Sequence, residues 1–283
     1  MVSATDGLRV AYYRWPSQAK SVGVVQIAHG LGEHALRYAP LAEFLNQAGY
    51  LVYAHDHRGH GRTSSPQSYG DFGEAGWSAV VADTVQLTNI IKRREPDIPV
   101  VLLGHSMGSF VAQNYILDHG DLIDGCALSG SAAADLIQHL LDEVGDGGLE
   151  SLNAPFEPGR TPFDWLSRDP AQVDAYVADT ACGFDLNERS RESAKAAWQR
   201  AADMAEIQQI RKALPIYIFA GDADPVNHNL DHLRPLAQRY RAVGIRDVQE
   251  KYNPEGRHEM FNETNRHEVM ADLRTWLDRV VKR

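Results

Sequence analysis

The stretch that decides the fold is Pro99-Val-Val-Leu-Leu-Gly-His-Ser-Met-Gly-Ser-Phe110. Val100 to Leu103 is a short apolar run bounded by Pro99 and Gly104, the pattern of a buried strand. The chain then turns through Gly104-His-Ser-Met-Gly108 into an apolar stretch of helical length, Phe110 to Leu117. A G-x-S-x-G sequence between a strand and a helix lifts its serine on a sharp turn, and glycines on either side let strand and helix approach. Ser106 then stands at a helix N-terminus, where unpaired N–H groups favour a developing oxyanion. Taken alone, the turn reads equally as a nucleophile or as a helix-capping serine.

The surrounding chain supplies the frame. Val22 to Ala28, Tyr50 to Ala54, Cys126 to Leu128, Pro215 to Ala220 and Val248 to Tyr252 read as strands, with Leu8 to Trp15 as an opening strand. Between them Tyr38 to Ala48, Trp77 to Arg93, Leu230 to Tyr240 and Glu263 to Val281 carry apolar residues at helical spacing. Strands alternating with helices predict an α/β fold, a mostly parallel central sheet flanked by helices. The interval from Ala132 to Leu214 breaks this rhythm and is too long for one crossover helix. The expected organisation is therefore a core of residues 1–131 and 215–283, with residues 132–214 inserted after a late strand as a helical cap.

Composition sets outer bounds. The 283 residues carry 28 Lys and Arg against 38 Asp and Glu, a net charge of −10, which argues against nucleic acid or an anionic bilayer as a bulk electrostatic partner. An apolar fraction of 43% suits a globular core, and no run approaches the ~18 apolar residues of a membrane span. The start of the chain has neither a basic nor an apolar signal region, and Cys126 and Cys182 form no C-x-x-C pair, so a reduced, cytoplasmic setting is expected. Oligomeric state is not legible.

A nucleophilic serine needs a base and a group that orients the base; where the serine stands on a strand-to-helix turn of the G-x-S-x-G kind, these follow it in the order acid, then histidine. Asp222 and Asp224, in Gly221-Asp-Ala-Asp-Pro225, both stand at a late strand exit. Asp224 is preferred, because Asp222 follows the glycine directly and is placed to hold the turn. His258 follows the last strand and precedes the last helix; His228, His232 and His267 are misplaced for the role. Oxyanion donors are expected from the backbone of Met107, next to the serine, and of Leu31, in the His29-Gly-Leu-Gly-Glu33 loop. The histidine-rich run His55-Asp-His-Arg-Gly-His60 has Gly59 where a metallohydrolase would place a second acid, so it reads as a hydrogen-bonded turn, and no metal or other cofactor is expected. His105, beside the serine, alternates to the other face of the strand and reads as a packed residue rather than a catalytic one.

These residues resemble the monoacylglycerol lipase and bacterial lysophospholipase group of serine hydrolases, within the α/β-hydrolase fold. The resemblance is carried by His29-Gly-Leu-Gly-Glu-His34 with Arg37-Tyr38, Asp56-His-Arg-Gly-His-Gly-Arg62, Gly104-His-Ser-Met-Gly108, Gly221-Asp-Ala-Asp-Pro225 and Gly256-Arg-His258. Leu166-Ser-Arg-Asp-Pro170, Val173-Asp-Ala-Tyr176, Asp179 and Cys182-Gly-Phe184 extend it into the inserted segment. It implies Ser106 as nucleophile, Asp224 as acid, His258 as base, Leu31 and Met107 as oxyanion donors, and Glu33 and Arg37 near a glycerol end. Phe261 stands where the eukaryotic enzymes carry a second histidine, which extends the expected range to more apolar alcohols.

The expected substrate is an ester or lipid with one acyl chain, a monoacylglycerol or lysophospholipid, met in transient contact with a lipid surface. Phe163, Trp165 and Phe184, with Leu140 and Phe156, are candidates for the acyl site; each fits the core of the cap equally, and for any single one core is the preferred reading. Small alkyl or aromatic monoesters fit the same chemistry. An aminopeptidase would instead use acidic residues such as Glu143, Asp146, Glu150 and Glu157 to hold a free amine, and a non-catalytic binding protein on this fold is the third class.

Overall fold

A computed structural model describes residues 1–17, 20–137 and 145–282. Seven strands form one sheet: β1 (Tyr12–Trp15), β2 (Gly23–Ala28), β3 (Tyr50–His55), β4 (Val100–His105), β5 (Gly125–Ser129), β6 (Ile216–Gly221) and β7 (Val248–Asn253). Their order is β1-β3-β2-β4-β5-β6-β7, with β1 antiparallel to β3 and every other pairing parallel. The helices are α1 (Ala39–Gln47), α2 (Gly76–Arg94), α3 (Met107–His119), α4 (Pro170–Ala178), α5 (Glu188–Ala202), α6 (Met204–Ile207), α7 (Arg234–Ala242) and α8 (Arg266–Val281).

The central strands are apolar on both faces because helices cover both. Val24, Leu102, Leu128 and Ile218 point to a core shared with α2, α3 and α7 through Leu87, Ile91, Tyr115 and Leu236. Their neighbours along the strands, Val25, Val101, Leu103 and Phe219, point to the opposite core, against Leu41, Leu45, Leu273 and Trp276 of α1 and α8. This two-residue alternation is the strand period itself, here with both sets buried. The strand order reverses between β2 and β4, so the loops leaving those two strands diverge and open a crevice at their carboxyl ends.

Three boundaries differ from the sequence reading, each for a local reason. The opening strand is shorter than Leu8 to Trp15, since Arg9 bridges back to Val2. The helix expected from Leu230 starts at Arg234, because His228, Asn229 and Leu230 have φ of 49°, 52° and 77°, a left-handed run, and Pro235 suits a first helical turn. The last helix starts at Arg266, since the buried Glu263 carboxylate is used to accept from the backbone N–H groups of Arg257, Thr264 and Arg168.

The segment between β5 and β6 contains α4, α5 and α6. The sequence reading missed α5, whose buried stripe is Ala194, Trp198 and Ala201, too weakly apolar to register as periodic. It is capped by the Asn187 side chain on Ser190 N (2.8 Å) and packs Trp198 against Trp77 and Phe110, ring centroids 5.7 and 5.9 Å apart. Asn114 of α3 donates to Ala197 O (3.0 Å), and Gly183 N donates to Gly32 O (3.0 Å), so this segment meets both α3 and the loop after β2. Leu140 and Glu143 lie outside the described residues. No helix among the described residues is long and apolar enough to cross a membrane.

Candidate active site

Ser106 follows β4 directly and occupies the N-cap position of α3 at φ 51°, ψ −123°, a conformation that costs a non-glycine residue about 1–3 kcal/mol. The neighbouring packing enforces it. A Cβ on Gly104 would lie 2.3 Å from Gly108 O, and one on Gly108 only 2.0 Å from Ala28 O, so strand, turn and helix meet at distances only glycine permits. Ser106 N donates to Ser129 O (2.9 Å), and Ser106 O accepts from Ser109 Oγ (2.6 Å), which fixes the turn from both sides.

Asp224 follows β6 and is fully buried. One carboxylate oxygen accepts from Val226 N (2.9 Å), the other from Asn227 Nδ2 (3.2 Å), and both lie 3.0 Å from His258 Nδ1. Such a contact holds the proton on Nδ1 and leaves Nε2 as the acceptor. Burial pulls the His258 pKa down, but the Asp224 carboxylate outweighs it and holds the imidazole above its ordinary value. Asp222 turns elsewhere, accepting Glu255 N (2.6 Å) and so steadying the loop that carries His258. Trp165 and His105 flank the His258 ring, with centroids 4.9 and 4.8 Å away. His105 thus faces the site rather than the far side of the strand, buried and with its pKa pushed down to about 4, first by burial and then by His258.

Ser106 and His258 line one small cleft with Gly30, Leu31 and Trp165. Ser106, Leu31 and Met107 also open onto a larger cleft of about 860 Å³, mouth included, walled by Phe110, Ile137, Leu149, Leu152, Trp198 and Val226. Met107 begins α3, so its N–H has no carbonyl four residues back to accept it. Of the aromatic candidates, Trp165 lies in this wall. Phe163 packs on Tyr176 (5.1 Å), Phe184 on Tyr69 (4.6 Å), and Phe156 lies under the Arg257 guanidinium (4.3 Å).

Glu33 and Arg37 belong to a buried polar network. Glu33 accepts from Gly30 N (2.5 Å), Tyr38 Oη (2.8 Å) and Arg37 Nη1 (2.8 Å); burial pushes its carboxyl up, but Arg37, His105 and His29 outweigh burial and hold it below the usual carboxylate range. Glu259, which sequence reasoning missed, binds Arg37 bidentately at 2.5 and 2.8 Å. Its one sequence signal is adjacency to His258. The network ties the loop after β2, through Gly30, to the loop that carries His258.

The histidine-rich turn folds around Asp56, which accepts from Tyr13 Oη (2.7 Å), Ala35 N (2.9 Å) and Arg62 N (2.8 Å). His29, His55, His57 and His60 pack ring on ring beneath it, all fully or almost fully buried. His29 Nε2 accepts His57 N (2.9 Å), so its Nδ1 proton is directed to Gly30 O (2.8 Å), which supports the Leu31 loop from below.

A sheet of this order, with a serine on a strained turn after β4 and an Asp–His pair after β6 and β7, defines the α/β-hydrolase fold. Residues 19–265 match the profile of the hydrolase family described as serine aminopeptidase, S33, and the chain belongs to that family. It is 33% identical to a monoacylglycerol lipase of Mycolicibacterium smegmatis over 97% of this chain and 95% of that one. A thermostable carboxyl esterase of Bacillus coagulans, solved in complex with glycerol, superposes with a TM-score of 0.86 at 29% identity, covering 96% and 94% of the two chains. A monoglyceride lipase of Saccharomyces cerevisiae, solved with a substrate analogue, gives 0.74 at 25% identity, covering 97% and 92%. The chain is therefore a hydrolase.

Proposed function

We propose that this hydrolase cleaves carboxylic esters bearing one acyl chain, monoacylglycerols foremost, through an acyl-enzyme on Ser106. In this reading His258 Nε2 takes the Ser106 Oγ proton as Oγ bonds to the ester carbonyl carbon, and the oxyanion is received by the N–H groups of Leu31 and Met107. The protonated imidazole then gives its proton to the leaving alcohol as the ester C–O bond breaks. Water enters, loses its proton to His258 and releases the acid by the same steps in reverse. Asp224 keeps the imidazole in the required tautomer throughout.

The observation that carries the reading is the pairing of both Asp224 oxygens with His258 Nδ1 at 3.0 Å, in the cleft shared with a strained Ser106. Residues 132–214 serve as the cap, which supplies Trp165, Leu152 and Trp198 to the apolar wall where an acyl chain would lie. Beside the small cleft, Glu33 and Glu259 set two carboxylates against the single cation of Arg37. That excess of negative charge favours a neutral alcohol such as glycerol over a phosphate-bearing one. The relatives named for monoacylglycerols support the same choice.

The test compares kcat/KM on a monoacylglycerol, a lysophospholipid, a p-nitrophenyl ester and an aminoacyl-anilide. The monoacylglycerol is expected to exceed the lysophospholipid and the anilide by at least tenfold. A preference for the anilide would overturn the ester assignment, and a preference for the lysophospholipid would overturn the reading of the charged end.

A further inference from the structure

Beside the cleft, the chain brings together one histidine, one aspartate and one cysteine that the proposed ester chemistry does not use. Asp179 ends α4, and the backbone turns back on itself there: Cys182 N donates to Asp179 O (3.0 Å) and Ala181 N to Asp179 Oδ1 (2.9 Å). This turn fixes Asp179 Oδ2 toward His34 Nε2, 2.9 Å away, and returns the Cys182 side chain to the same spot. The three ligand atoms lie within 4.8 Å of one another, and among the described residues no other group of three or more His, Cys, Asp or Glu does so.

We infer that His34, Asp179 and Cys182 form a binding site for a zinc-class divalent transition metal. The donor set is one imidazole nitrogen, one carboxylate oxygen and one sulfur, the mixture that zinc takes in preference to magnesium or calcium. Tetrahedral zinc, with bonds of about 2.0–2.3 Å, sets its ligand atoms about 3.3–3.8 Å apart. The His34–Asp179 contact, at 2.9 Å, has to open by about 0.5 Å, and the thiol, within 4.8 Å of both, to close by at most about 1–1.5 Å, a side-chain adjustment. Asp179 is partly exposed, with 37% of its side chain accessible, which leaves an entry path and room for a water as fourth ligand.

The local field favours a cation. Burial holds the Cys182 thiol protonated, with Arg37 pulling the other way and the carboxylates of Asp179, Glu33 and Glu259 adding to burial; an ion that takes the proton's place meets the same three carboxylates, and Arg37 is itself bound by the two glutamates. Binding transfers the thiol proton to solvent and forms one S–metal bond, with no change of oxidation state.

The site joins two parts of the chain. His34 lies three residues after Leu31, and Asp179 and Cys182 lie beside Gly183, whose N–H already reaches Gly32 O (3.0 Å). A bound ion fastens that contact. If residues 132–214 cap the cleft, as proposed above, occupancy slows ester turnover by restraining the cap against the Leu31 loop; the metal site itself stands independently of that reading.

The test uses the full chain after exhaustive chelation. Zn2+ alone is expected to bind with one-to-one stoichiometry by calorimetry and to raise the melting temperature. Co2+ is expected to give a near-ultraviolet thiolate-to-metal absorption band. Cys182→Ser should abolish the band and weaken Zn2+ at least about 100-fold, the upper range seen on loss even of groups that only support metal ligands, while metal-free ester turnover stays within twofold of wild type. His34→Gln should weaken Zn2+ in the same way, and it decides the question should Cys182→Ser fold poorly. Equal Zn2+ affinity in wild type and both variants, or a Co2+ complex without the thiolate band, would overturn the site. Because binding, melting and absorption are read without substrate, failure of the ester assignment would leave the result interpretable.

Discussion

Gly221→Ala probes how the loops after β6 and β7 place Asp224 against His258. A Cβ at Gly221 would lie 1.9 Å from Gly256 O, 2.1 Å from Gly256 C and 2.5 Å from Arg257 O, all backbone atoms. Side-chain carbons do not approach within 3.0 Å, so the two loops must separate by about 1 Å. His258 follows Arg257 directly, and its two 3.0 Å contacts to Asp224 would open to about 4 Å, beyond hydrogen-bond range. Misplacement of a catalytic group by 1 Å costs about 10²-fold, and loss of the correct tautomer up to about 10⁴-fold. The expected outcome is a fall in kcat of about 10²–10⁴-fold, with KM little changed, because the apolar wall belongs to other elements. Stability should fall by only about 1–3 kcal/mol, the usual cost of overpacking. The pH profile separates this from simple unfolding. In the wild type Asp224 holds the His258 pKa up against burial; loosening the pair lets burial dominate, so the acid limb of kcat/KM moves to lower pH. Gly120→Ala, whose Cβ meets Leu214 Cδ2 at 3.7 Å and Ile116 Cβ at 4.0 Å, both ordinary contacts, is the control. Gly221→Ala turnover within threefold of wild type on a p-nitrophenyl ester, with an unmoved acid limb, would refute the reasoning.

Three further outcomes are expected. Arg37→Ala leaves the buried Glu33 and Glu259 carboxylates without their cation and should destabilise the fold by about 3–5 kcal/mol in urea titration; a loss below 1 kcal/mol would show the clamp to be idle. His29, His55, His57, His60 and His105 are all pushed down by burial, His55 and His60 to about 3 and His105 to about 4. The unfolded chain therefore takes up protons that the folded one refuses as pH falls below about 6.5, each refused proton costing about 1.4 kcal/mol per pH unit, so the melting temperature should drop steeply between pH 6.5 and 4, and a flat profile there would contradict the buried neutral imidazoles. Leu152→Trp fills part of the larger cleft and should lower the ratio of long-chain to short-chain ester turnover by about 30-fold, roughly 2 kcal/mol for two or three displaced methylenes; an unchanged ratio would place the acyl chain elsewhere.

Much of the fold was legible because its signals are local. The run Val100 to Leu103 between Pro99 and Gly104 reads as β4, and the alternation of strands and helices gives a parallel sheet without any contact being known. Ser106, Asp224 and His258 were legible as candidates because each follows a strand, and a parallel sheet collects the exits of successive strands at one end. What escaped depends on distant partners. The Arg37–Glu259 clamp joins residues 222 apart, and no spacing rule links them. Phe163, Trp165 and Phe184 are alike in sequence, yet only Trp165 walls the cleft, because Tyr176 and Tyr69 take up the other two rings. The α5 helix was hidden by an alanine stripe that becomes buried only because Trp77 and Phe110 wait opposite Trp198.

The central claim is that Ser106, on its strained turn, is the nucleophile of this hydrolase. Intact-mass analysis after treatment with a fluorophosphonate tests it most directly. Wild type should gain one adduct, mapped to Ser106, and lose ester turnover in proportion, whereas Ser106→Ala should gain none and have no turnover above the chemical background. A folded wild type that remains unlabelled, or a Ser106→Ala variant that still turns over ester, would contradict the claim.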